Sequence, residues 1–163
     1  TPGVIIEDGA LTITAYVAEH PPIEPAVGYR FDYRGRSVVV SGDSNINGDT
    51  LDIVNGADLL LHDALSLPTV SILSDAMGNA GQARQSKIVA DVIDYHASTD
   101  SIIELGKQSN VNMVAFYHLV PVPLNSALDA VFERGMPDNF LLAKDLMWFE
   151  LPVGSDEIAV NHP

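Results

Sequence analysis

Three apolar runs in this chain stop abruptly at polar residues, and that feature restricts the fold more than any other. Val38-Val-Val40 runs into Ser41-Gly42-Asp43-Ser44, Leu59-Leu-Leu61 into His62-Asp63, and Val114-Ala-Phe-Tyr117 into His118. Unbroken apolar runs, without alternation, are the mark of strands covered on both faces. Ligands of open α/β sheets collect at the carboxyl ends of such strands. Asp43, His62 and His118 are therefore expected on one rim of one sheet. His96 joins them as a fourth group, just ahead of a helix that Ser98 or Thr99 caps. A carboxylate with imidazoles suits zinc, manganese or iron. Each residue also has a plainer reading. Gly-Asp after a strand is an ordinary turn, a histidine at a strand end is often hydrogen-bonded structure, and His20 among prolines reads as exposed.

The rest of the chain supplies the sheet's other members. Val4-Ile-Ile6 and Leu11 to Val17 flank Asp8-Gly9 and read as a hairpin. Gly28 to Tyr33 and Ser37 to Val40, around Arg34-Gly-Arg36, read as a second. Helices are expected over 50–55, closed by Gly56, over 82–94, over 98–109 and over 124–134. Phe140 to Leu142 and Leu146 to Leu151 are expected as a last strand pair. This pattern predicts an α/β fold, a mixed sheet with helices on one face. The 163 residues suit a single domain over 1–163, with no internal repeat or linker.

Composition narrows the partners. Against 8 Lys and Arg stand 22 Asp and Glu, a net charge of −14. Such a surface repels phosphate backbones and anionic lipid, so nucleic acid and membrane surfaces are poor partners, while hard cations and small-molecule substrates are compatible with it. The chain has no Cys, which excludes thiolate metal sites and leaves the compartment, cytoplasmic or periplasmic, unread. No apolar run approaches the ~20 residues of a membrane span. It opens Thr-Pro-Gly without an initiator Met, which reads as removal of something upstream.

The wording of these segments is familiar. Gly28-Tyr-Arg-Phe-Asp-Tyr-Arg-Gly-Arg-Ser-Val-Val-Val-Ser-Gly-Asp-Ser44 resembles a signature of the metallo-β-lactamase-fold hydrolases, in the branch with ribonuclease Z and the arylsulfatase-like and phosphodiesterase-like enzymes. Gly56 to Ala64 resembles the branch's next strand, Tyr95-His-Ala-Ser-Thr99 its His-x-Ser-Thr segment, and Val114 to His118 the strand delivering its last metal-binding His. The resemblance implies a dinuclear centre with Asp43 as the bridging carboxylate and His118 as a ligand. It implies His96 as the group that contacts substrate or protonates the leaving group, with His62 and Asp63 orienting neighbours. Asp63 stands where the family usually has Glu, which shortens that arm, and Ser44 where Thr is commoner.

The family's His-x-His-x-Asp-His motif is absent. The five histidines stand at 20, 62, 96, 118 and 162, and no two are separated by one residue. The chain therefore reads as the carboxyl-terminal half of the family's four-layer αββα sandwich. Expected consequences are weak metal affinity, little catalysis by the chain alone, and an apolar sheet face that pairs with a separate amino-terminal part or, as a homodimer, with a second copy. Substrates would be small esters, phosphodiesters or sulfate esters. The reading from another class is a non-catalytic interaction domain that keeps the fold without the metal site.

Overall fold

The seven-stranded mixed sheet runs in strict chain order, so each strand lies beside the one before it. The computed structural model describes residues 2–162. Strands β1 (Gly3–Asp8), β2 (Leu11–Val17), β3 (Val27–Tyr33) and β4 (Arg36–Val40) form an antiparallel meander. Strands β5 (Leu59–Leu65), β6 (Met113–Val120) and β7 (Phe140–Leu142) then add in parallel to β4 and to one another. The parallel strands require crossovers, and helices make them: α1 (Gly48–Val54), α2 (Leu67–Asn79), α3 (Ala83–Asp91), α4 (Thr99–Ser109) and α5 (Ser126–Phe132).

Local chemistry sets the helix ends. Asn47 opens α1 with a capping box shared with Thr50. Ser98 caps α4 by accepting from Ser101 N–H at 3.1 Å, and Asn110 closes it in the left-handed region at φ 53°. The first hairpin, the second hairpin and all four expected helices lie where the pattern puts them, the second of them ending in a short 3-10 turn over Val92–Asp94.

Two corrections stand out. Helix α2 was not anticipated, because its residues carry only a weak amphipathic stripe and bury only Val70. It packs chiefly against α3, where Gly78 and Ser86 allow close approach and the Ser74 hydroxyl donates to Ser86 O at 3.0 Å. The expected last strand pair also does not form. Phe140–Leu142 joins the edge of β6, while β8 (Trp148–Glu150) pairs with β9 (Ala159–Asn161) in a small separate hairpin. The free edge of β6 offers Phe140–Leu142 a ladder and a buried face, and the Gly154 turn brings β9 to β8.

Strand alternation divides the sheet into two faces. Val39, Leu60, Val114 and Phe116 point to one side, and Val54 of α1, Ile102 and Leu105 of α4 and Phe132 of α5 close over them in one core. The opposite side carries Ile13, Phe31, Val38, Leu61 and Met113, all half-buried. At the rim of this side Ile6, Val17 and Tyr33 are exposed. Buried apolar exceptions on it are Ala15, Leu59 and Ala115. The Arg36 guanidinium pairs with Asp58 at 3.3 Å and donates to the carbonyls of Ser155 and Glu157, fastening the last segment to the end of the sheet away from the site.

Candidate metal centre

The carboxyl ends of β4, β5 and β6 converge on the polar residues that follow or finish them. Gly42 turns the chain after β4 with φ 67°, and a Cβ there would meet the Val27 carbonyl oxygen at 3.0 Å. Glycine is needed for both reasons, and the turn presents Asp43 outward. On β6 the pairing shifts by one residue between Asp63 and Ala64, which leaves His118 as an extra, bulged residue at φ 42°. Regular alternation would send His118 to the helix-packed side. The bulge turns it back to the rim, where Nε2 lies 3.5 Å from Asp43 Oδ2.

A third donor comes from the loop between β2 and β3. Glu19 N–H donates to Ser44 Oγ at 3.0 Å, and Asn45 N–H donates to Glu19 O at 2.8 Å. These two bonds zip the loop of His20 to the loop of Asp43. His20, Asp43 and His96 thereby bring one donor atom each within 4.8 Å of one another. The His96 ring lies 5.5 Å from the His20 ring and 5.5 Å from the His118 ring, and Tyr95 packs on His20 at 4.8 Å.

Behind the cluster sits Asp63, fully buried. Its Oδ2 accepts from His96 Nδ1 at 2.6 Å, and its Oδ1 accepts from Ser44 N–H at 3.2 Å and lies 3.0 Å from His62 Nδ1. Its own N–H donates to Ser41 Oγ at 3.2 Å. Burial alone would push the Asp63 carboxyl up, but the hydrogen bonds and charge of His62 and His96 outweigh it and hold it below the usual carboxylate range. With Nδ1 taken by Asp63, Nε2 is the His96 nitrogen left for the cluster. Tyr117, beside Asp63 on β6, has its hydroxyl pushed up by burial, with the Asp63 and Asp43 charges adding to it.

No family model matches the chain. In sequence it is similar to ribonuclease Z of Mycobacterium tuberculosis, 32% identical over 122 residues that make up 74% of this chain and 40% of that protein. In structure it is similar to the metallo-β-lactamase-fold protein YhfI of Bacillus subtilis, with a TM-score of 0.59 and 17% identity over 88% of this chain and 50% of that one. The chain has a metallo-β-lactamase fold. Another protein of similar structure, Zn2+-bound PqqB of Methylobacterium extorquens, has a TM-score of 0.54 and 17% identity over 87% of this chain and 51% of that one. The chain spans 39% to 49% of the length of its mycobacterial relatives.

Within this metallo-β-lactamase fold, the residues singled out from sequence separate into two groups. Asp43, His96 and His118 meet at the rim. His62 does not join them: its ring is fully buried, its Nδ1 donates to Asp63 O at 2.8 Å, and its Nε2 has no partner among the described residues. The reason is alternation, since adjacent residues of a strand face opposite sides and Asp63 takes the site side. His20, read as exposed among prolines, is half-buried and belongs to the cluster. Its signal was invisible in the sequence because the bonds that place it join residues 25 and 26 apart. Ser41 and Ser44, which hold the Asp63 carboxylate and the His20 loop, were likewise missed as site residues. The shortened Asp63 arm still reaches His96.

Proposed function

We propose that this chain supplies one side of a dinuclear-metal hydrolase centre acting on small ester, phosphodiester or sulfate ester substrates. The observation that carries the reading is the meeting of His20, Asp43 and His96 donor atoms within 4.8 Å, with His118 against Asp43. Three imidazoles and one carboxylate fit zinc first, with manganese or iron as the alternatives. His20, Asp43 and His118 would hold the ions. When bound, the metal supplies Lewis acidity at the scissile centre and a nucleophile usable near neutral pH.

The protein's own residues do the rest. Asp63, held as a carboxylate, fixes the His96 tautomer and keeps its Nε2 turned to the rim. From there His96 orients substrate or, when both ring nitrogens carry protons, hands the Nε2 proton to the leaving oxygen. Ser41 and Ser44 prevent Asp63 from swinging away. The half-buried apolar face of the sheet supports association with an amino-terminal part or a second copy, which would complete the ligand set. The net charge of −14 favours small substrates over RNA, although the sequence relatives are named as ribonucleases.

The test is to join the chain to the preceding segment of its open reading frame and assay aryl esters, bis(p-nitrophenyl) phosphate and aryl sulfates with zinc or manganese. Hydrolysis that Asp43→Ala abolishes supports the reading. Full activity in Asp43→Ala, or tight two-site zinc binding by the 163-residue chain alone in calorimetry, overturns the claim that this side is necessary but insufficient.

A further inference from the structure

A cavity of about 870 Å³ opens beside the candidate metal centre rather than in it. Its walls are apolar, with Val17, Ile23 and Val27 contributing, and His20 belongs both to this lining and to the donor cluster. Glu19 and Glu24 are the charged residues of the lining, and no Lys or Arg lines it among the described residues. The cavity is built on a closed loop. Ala18 N–H donates to Ala26 O at 3.0 Å, Ile23 N–H donates to His20 O at 2.9 Å, and Pro21, Pro22 and Pro25 stiffen the turn between. Asn47 fixes the neighbouring wall by donating to Val17 O at 3.2 Å. A preformed apolar hollow with carboxylates and no cation selects against anions, and the −14 net charge reinforces that selection.

We propose that this hollow is the subsite for an apolar, positively charged group of the substrate, an aryl or alkyl body bearing a protonated amine. The inference rests on the hydrolase reading above, because His20 places the subsite next to the reacting centre. It predicts that the non-reacting end of a preferred substrate is cationic, and that esters with an anionic tail are poor substrates.

The test uses the 163-residue chain, 15N-labelled, titrated with 1-naphthylmethylamine and separately with 1-naphthoate, which share a ring system and differ in charge. The expected result is movement of the Ile23, Ala26 and Val27 amides, with the amine bound at least about fivefold more tightly than the carboxylate. In the doubly substituted Glu19→Gln, Glu24→Gln chain that preference disappears while weak binding of both probes remains. In Ile23→Ala both probes weaken together. Equal or tighter binding of naphthoate, or no movement of these amides with either probe, overturns the proposal. A parallel hydrolysis assay of the chain joined to an amino-terminal part, with and without Asp43→Ala, separates it from the parent reading. Hydrolysis that Asp43→Ala abolishes, without amine binding, removes the subsite alone, and amine binding with full hydrolysis in Asp43→Ala removes the hydrolase reading and leaves a cation pocket.

Discussion

Leu60 and Leu61 are consecutive residues of one strand with the same side chain, yet Leu60 is fully buried under helices and Leu61 is half-buried on the open side. The contrast extends across the sheet. Val39, Val114 and Phe116 are fully buried on the helix-packed face, whereas Ile13, Phe31, Val38 and Met113 on the other are not. Both faces are apolar, so hydrophobicity does not distinguish them. The difference is that α1, α4 and α5 cover one face, and within the described residues no layer of comparable extent covers the other. One face is a finished core, and the other is equally apolar without a covering layer among the described residues. The candidate metal centre sits at the end of the same strands and is divided likewise, with Asp63 and His96 buried and Asp43 and His118 about half exposed.

The comparison can be broken most directly by truncating side chains on each face. Phe116→Ala, in the covered face, is expected to cost about 3–5 kcal/mol in urea unfolding of the isolated chain. The next largest effect is expected at the buried end of the centre. Asp63→Asn removes the charge from hydrogen bonds with His96, His62 and Ser44 and should cost about 1.5–3 kcal/mol. It should also change the acid limb of stability. The folded Asp63 pKa lies below its ordinary value, so its contribution is complete above about pH 4 and fades as the pH falls through the lower folded value. Urea melts from pH 6 downward should show that loss in the parent chain and a flatter profile in Asp63→Asn.

Gly28→Ala tests the covered face through its packing rather than its polarity. The Tyr16 ring lies across Gly28, and an added Cβ would fall 2.3 Å from it. The expected cost is about 1–3 kcal/mol, read as a lower urea midpoint. The smallest effect is expected on the open face, where Phe31→Ala should cost about 1 kcal/mol or less in the isolated chain. The same substitution should sharply weaken association with an amino-terminal part or a second copy, measured by light scattering. A cost at Phe31 equal to that at Phe116 in a monomeric chain would end the distinction between the faces.

Much of this is legible in the amino-acid sequence. Unbroken apolar runs ending at Asp43, His62 and His118 identify parallel strands and the rim at which they finish, because both faces of those strands are apolar even though helices cover only one. The Asp-Gly and Arg-Gly-Arg turns and the Ser98 cap are local, so their residues alone specify the first four strands and the start of α4. What the sequence left open depends on pairing between distant segments. Only the bulge in β6 decides that His118 faces Asp43, only alternation in the assembled sheet sends His62 inward and Asp63 to the site, and only the Glu19–Ser44 and Glu19–Asn45 bonds carry His20 into the cluster. Local sequence determines strands, turns and caps because their energies lie within a few residues. Which side chains meet is decided by register, which is a property of two segments at once.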